Sequence, residues 1–216
     1  MIELTLKATL SYLLGGIMGG LVVGRFRGVD IRALGSGNAG STNALRTQGA
    51  SFALAVMIID VGKGWLATRI VPALALPFAP FSGELHLWVP CACGAAAMLG
   101  HVYPVWYGFR GGKAVATFLG AVIGLAPRLL LPVLCSWLGV AVLTGYVGLA
   151  SMAAAVALPA SIAWSGLAGE RPLFAFGLFA AVLIVVTHRT NIRRMSAGSE
   201  PRARRLWLFG LNRGDV

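Results

Sequence analysis

The chain has 216 residues, 57% hydrophobic and 12% charged, and its 18 lysines and arginines against 7 aspartates and glutamates leave a net charge of +11. Soluble domains carry about 25% charged residues, so this composition, with a mean hydropathy of +0.80, excludes a soluble globular fold and predicts an all-α, polytopic integral membrane protein. In a soluble chain so positive a balance would suggest nucleic acid; here the arginines lie between apolar runs, as the positive-inside pattern requires, and no nucleic-acid partner is expected.

Apolar runs of spanning length predict seven transmembrane helices near residues 4–24, 51–72, 84–103, 113–126, 128–147, 149–166 and 172–188, in one membrane-embedded domain over residues 1–216. The first run is followed by arginines and has no small-residue cleavage pattern, so it reads as a retained span rather than a signal peptide. Arg25, Arg27, Arg32 and Arg46 follow the first span, Arg110 and Lys113 the third, and Arg189, Arg193, Arg194, Arg202, Arg204, Arg205 and Arg213 the last. An odd number of spans puts these groups on one side, which the positive-inside rule makes cytoplasmic, with the N-terminus outside and the C-terminus inside. The loops assigned to the other side carry only Glu84, Glu170 and Arg171. Cys91, Cys93 and Cys135 lie in apolar runs without metal-ligand spacing and read as small core residues.

Three polar, glycine-rich stretches then fall on the cytoplasmic side and can converge on one site. The first, "LGSGNAGSTNALRTQG" (34–49), has four glycines and no carboxylate. Backbone N–H groups around Gly37 and Gly40, with Ser36, Asn38, Ser41, Thr42 and Asn43, suit an anion such as phosphate, and Arg46 on the following helix adds a bidentate contact. The second places Gly111, Gly112 and Lys113 before an apolar helix, a phosphate-binding turn without the Walker spacing. His101 and Pro104 end the span before it. The third, "THRTNIRRMSAGSE", has His188 and Asn191 three apart on one helical face and Glu200 as the acid in a basic tail, expected to pair with an arginine. Arg202, Arg204 and Arg205 read as contacts to anionic lipid headgroups.

Inside the second run, Asp60 and Lys63 stand at i and i+3, where charge is costly and usually paired or functional; two readings stay open, a mutual ion pair with a positioning role and direct contact with substrate. The chain has no GxSxG elbow, no HExxH and no HxxxxD pair, so covalent acyl-enzyme and zinc chemistry lose ground. No metal and no cofactor is expected. The competing class is a transporter for a phosphorylated metabolite, although transporters characteristically show repeated halves and polar groups at the midplane.

Taken in order, "GSGNAGSTN", "GHVYPVWYGFRGGKAVAT" and "HRTNIRRMSAGSE" resemble the three cytoplasmic motifs of the bacterial acyl-phosphate-dependent glycerol-3-phosphate acyltransferases, the PlsY family. The resemblance implies acyl transfer from an acyl phosphate to the 1-hydroxyl of glycerol 3-phosphate in the bacterial inner membrane, giving lysophosphatidic acid and inorganic phosphate, with an enzyme upstream that makes the donor. By motif position it makes Ser36 and Arg46 phosphate ligands, puts Gly111, Gly112 and Lys113 in the same polar pocket, and makes His188 and Asn191 the essential third-motif pair. Ser151 becomes a further substrate-binding hydroxyl, although "GYVGLAS" before it, with Gly145 and Gly148, departs from the basic residue and serine expected there.

Overall fold

A computed structural model describes residues 2–77, 83–166, 170–204 and 206–210. Arg205, Arg213 and parts of the two acidic loops, 78–82 and 167–169, lie outside the described residues. Ten α-helices account for most of the described chain: α1 (Ile2–Gly15), α2 (Gly19–Arg27), α3 (Ser41–Gln48), α4 (Ala50–Arg69), α5 (Val89–Val102), α6 (Val115–Leu125), α7 (Leu130–Thr144), α8 (Val147–Trp164), α9 (Arg171–Thr187) and α10 (Arg189–Ser196). Among the described residues there is no strand. The chain forms two compact units, residues 1–127 and 128–216.

Each predicted apolar run contains helix, but the runs differ in how they could cross a bilayer. Three helices are long and apolar enough outright: α4 continued to Ala73, α7 with the turn before it, and α8. Two more spans arise if α1 with α2 (bent by 40°) and α9 with α10 (bent by 54°) each count as one. With 14 and 11 residues, α5 and α6 are only about 21 and 16 Å long, short of a hydrocarbon core of about 30 Å. A short 3-10 helical stretch of 6 residues, Gly83–Trp88, leads into α5.

The first unit is held by close helix contacts at glycines, the small-residue packing by which membrane helices approach one another. A Cβ at Gly64 of α4 would strike the Thr117 carbonyl of α6, and one at Gly120 of α6 would strike the Val61 carbonyl of α4. Gly15 and Gly100 do the same between α1 and α5, against Ala97 and Tyr12. In the second unit, Gly145 in the left-handed region (φ 74°) closes α7 and Tyr146 starts α8, so the glycine-rich "GYVGLASM" is a two-residue hairpin followed by an uninterrupted helix.

Cys91 and Cys93 are buried as expected, but Cys135 is exposed. It shares one face of α7 with exposed Leu131, Leu134 and Leu138, an apolar face of the kind a lipid-facing helix presents.

Candidate active site

The first polar stretch is built inward from Asp30. Its carboxylate accepts the Arg32 backbone N–H at 3.0 Å and the Arg32 side chain at 2.8 Å, starting a short helical turn over Ile31–Ala33. Those Arg32 hydrogen bonds hold the Asp30 carboxyl below the usual carboxylate range and raise Arg32 in turn. Asn43, 1% exposed, then fastens the loop: its amide donates to the carbonyls of Ile31 and Leu34, both at 3.0 Å, and its oxygen accepts the Ser36 N–H at 2.9 Å. The Gly37 N–H is bound to Leu34 O at 3.0 Å.

The loop therefore differs in detail from the expected cradle of outward N–H groups. Ser36 and Gly37 turn theirs inward, and the Asn43 side chain is committed to the loop itself. What faces outward is the exposed Ser36 hydroxyl and the first turn of α3, where Ser41 and Thr42 precede the intrahelical ladder that begins at Ala44 N–H to Gly40 O. Such N–H groups are the positive end of a helix. Arg46, exposed, is one turn from Thr42 on the same face. Ala39, fully buried, seats the loop on α2 at Gly20, with Met18, Leu21 and Tyr107 packed around it.

The second stretch rests on His101. Its carbonyl accepts the Gly112 N–H at 3.0 Å, the Val102 carbonyl accepts that of Gly111 at 3.1 Å, and a Cβ at Gly112 would run into His101 Nε2. Ala114, between Lys113 and α6, sits in the left-handed region (φ 59°) as the N-cap, a conformation that costs an L-residue about 1–2 kcal/mol. Lys113 is thus carried, half-buried, on a tight and strained turn.

Behind this turn lies a polar chain through the apolar interior. His101 Nδ1 is 3.1 Å from Thr117 Oγ1 and 3.7 Å from Asp60 Oδ1. Asp60 and Lys63 form a buried ion pair at 2.8 Å. The pair also closes the break between α1 and α2: Asp60 accepts the Gly19 N–H at 3.1 Å and Lys63 donates to Ile17 O at 2.8 Å. A broken helix at membrane depth needs such partners for its freed backbone groups. Asp60, Lys63 and His101 thereby connect the start of α2 to the Gly111–Lys113 turn.

In the second unit, α9 and α10 pivot at His188. Its Nδ1 is 2.7 Å from Ile184 O; a carbonyl only accepts, so Nδ1 carries the proton and the lone pair of the neutral ring resides on Nε2. Asn191, on the first turn of α10, donates through Nδ2 to Glu200 Oε1 at 2.6 Å, and Arg194 Nε donates to Glu200 Oε2 at 2.6 Å. Gly198 (φ 69°) reverses the chain so that Glu200 returns over α10. Asn191 packs on Gly148 of α8 so closely that a Cβ there would lie 2.9 Å from its Nδ2. Ser151, one turn further along α8, is buried and donates to Val147 O at 2.9 Å. Arg202 is not simply a headgroup contact: its planar guanidinium stacks on Tyr146 and Trp207, 4.8 and 4.1 Å from the ring centroids. Among the described residues, no three His, Cys, Asp or Glu side chains group as metal ligands.

Residues 5–198 match the model of the family described as glycerol-3-phosphate acyltransferase. The chain belongs to the glycerol-3-phosphate acyltransferase family. Curated relatives of that name are 41% identical over 91% of this chain and 94% of theirs in Synechococcus sp. (strain CC9902), and 44% identical over 94% of this chain and 98% of theirs in Geobacter metallireducens. The crystal structure of PlsY, an integral membrane glycerol 3-phosphate acyltransferase, in its glycerol 3-phosphate form matches with a TM-score of 0.82 at 34% identity, covering 92% of this chain and 94% of that one. Its lysophosphatidic acid form matches with a TM-score of 0.78.

Within this acyltransferase, sequence reading passed over Asn43's inward role, Gly148 and the Tyr146–Arg202–Trp207 stack. A carboxylate-free loop does not reveal which amide closes it. The glycine at 148 registered only as a departure, although a glycine on a helix face marks a point where another chain segment comes close.

Proposed function

We propose that this chain is a membrane-embedded acyltransferase, residues 1–216 acting as one catalytic entity, that moves an acyl group from an acyl phosphate to the 1-hydroxyl of glycerol 3-phosphate. The products are lysophosphatidic acid and inorganic phosphate. The observation that carries this reading is the match over nine-tenths of the chain to a glycerol 3-phosphate acyltransferase crystallised in its glycerol 3-phosphate and lysophosphatidic acid forms. An acyl phosphate is reactive and water-labile, so an enzyme that makes it nearby is the natural upstream partner. The arginine distribution supports seven spans in a bacterial cytoplasmic membrane, with the C-terminus and the three motifs facing the cytoplasm.

In this scheme Ser36, the first turn of α3 with Thr42, Arg46, and Lys113 on its Gly111–Gly112 turn hold phosphate groups, while Gly37, Asn38, Gly40 and Asn43 shape the loop that presents them. Ser151, His188 and Asn191 engage glycerol 3-phosphate. The hydroxyl oxygen attacks the acyl carbonyl carbon, the carbonyl oxygen gains charge that N–H and cationic donors stabilise, and the carbon–oxygen bond to phosphate breaks. Phosphate is a good leaving group, so no covalent acyl-enzyme is needed. The hydroxyl proton goes to His188 Nε2 or to the departing phosphate, and His188→Ala separates the two: a loss of about 100-fold or more in kcat at saturating substrate assigns it to the histidine, near-normal kcat to the phosphate.

Purified protein in detergent, given glycerol 3-phosphate and palmitoyl phosphate, is expected to release lysophosphatidic acid and phosphate in equal amounts. No product, with accumulation of glycerol 3-phosphate in proteoliposomes, would establish a transporter instead.

A further inference from the structure

We infer that the segment after the third motif is a clasp, and that Arg202 within it is a positioning residue for Asn191. The inference rests on the acyltransferase reading for its kinetic consequence, but its structural content stands alone.

The contacts form a closed ring inside the second unit. Asn191 lies against Gly148, in the first turn of α8. Its amide donates to Glu200. Pro201, with its fixed φ, is the sole residue between Glu200 and Arg202. Arg202 stacks on Tyr146, the residue that starts α8, and Trp207 covers the guanidinium at 4.1 Å. The Ala203 N–H donates to Gly145 O at 2.8 Å, and the carbonyl of Ala203 accepts from Leu206 and Trp207, coiling the tail into a turn over the α7–α8 hairpin. Gly145 is part of the fit, since a Cβ on it would lie 3.0–3.1 Å from Trp207 and Arg202.

Arg194 holds Glu200 to α10, through Nε to Oε2 at 2.6 Å and through its carbonyl to the Glu200 N–H at 3.2 Å, but these bonds leave the tail beyond Glu200 without a fixed place on α8. The Arg202 stack and the Ala203 bond fasten that tail to the same end of α8 that Asn191 touches. Both sides of the Asn191 side chain are then referred to one helix end: Gly148 directly, and Glu200 through Arg202 and Tyr146. A guanidinium is suited to this because it is flat, permanently charged and stacks without losing its in-plane hydrogen bonding, whereas an ammonium is compact and strongly hydrated.

The test combines amide hydrogen exchange with steady-state kinetics on the full chain in detergent, using palmitoyl phosphate and glycerol 3-phosphate. In the wild type the Ala203 amide is expected to be protected; exchange at the rate of an unstructured peptide overturns the clasp whatever the activity. Arg202→Ala is expected to speed exchange in residues 188–203 while leaving α4 and α6 unchanged, and to lower kcat/KM for glycerol 3-phosphate by about 10- to 100-fold, the penalty of a small misplacement. Arg202→Lys should restore little of this loss. Trp207→Ala should reproduce it, Trp207→Phe and Tyr146→Phe should retain near-wild-type values, and the Arg202→Ala, Trp207→Ala double variant should be no worse than either single one. A kcat/KM for Arg202→Ala within about twofold of wild type, or exchange that quickens evenly over the whole chain, overturns the positioning role. If the wild type itself forms no lysophosphatidic acid, the acyltransferase reading fails, and the exchange measurements still decide the clasp.

Discussion

Asn191 Nδ2 donates to Glu200 Oε1 at 2.6 Å while Arg194 Nε occupies Oε2 at the same distance. One buried carboxylate thus fixes the third-motif amide in a single orientation, because an acceptor-only partner can bind only the NH2 end of an asparagine. Glu200→Gln keeps one acceptor and loses the other. It is expected to cost about 1–2 kcal/mol, and Glu200→Ala about 2–4 kcal/mol, since the buried Asn191 amide and the partly buried Arg194 guanidinium both lose this acceptor. Thermal unfolding in detergent checks the order; equal midpoints for wild type and both variants would refute it.

The Asp60–Lys63 pair is both a buried ion pair and the closure of the α1–α2 break. Removing one partner leaves an uncompensated charge, a loss of about 3–5 kcal/mol. Lys63→Met and Asp60→Asn should each sharply reduce the yield of folded protein. The double variant should be less damaged than the sum of the singles, by a coupling of about 1 kcal/mol or more, read from unfolding midpoints.

Gly112→Ala adds a methyl where His101 Nε2 already lies. The turn carrying Lys113 must shift, so kcat/KM is expected to fall at least about tenfold while the unfolding midpoint moves by only a few degrees. Gly108→Ala is the control for an added methyl without a clash: Gly108 lies in the left-handed region (φ 62°), as Gly112 does not, and a Cβ there meets nothing within 4 Å. Its penalty should be confined to a modest loss of stability of about 1–2 kcal/mol. Similar kinetic losses in the two variants would argue against the His101 contact.

Asp30 gives a pH dependence with a definite sign. Its folded-state pKa is lowered, first by the Arg32 side-chain hydrogen bond, so it contributes stability above the unfolded carboxylate range and loses it as pH falls through the folded value. The difference in unfolding midpoint between wild type and Asp30→Asn should be constant above about pH 5 and close toward zero below about pH 4. Because the pair is half exposed, the difference should be small and shrink further in high salt.

The membrane class, the positions of the apolar runs and the three polar motifs followed from the sequence alone. Each depends on local composition: hydropathy sums over a window, and glycine, serine and arginine clusters stand out against an apolar background whatever the chain later does. Lengths followed less well, because whether the first run is one helix or two depends on Asp60 and Lys63, about 40 residues away, supplying partners to the Gly19 N–H and Ile17 carbonyl. Partner choice was decided only by the tertiary structure. Asn43 and Asn38 are alike in sequence, yet Asn43 closes the loop because the Ile31 and Leu34 carbonyls converge on it. Gly148 and Gly145 looked like lost side chains until Asn191, Arg202 and Trp207 came to rest on them. A contact between residues tens of positions apart is set by how helices pack, and no short stretch of residues contains that geometry.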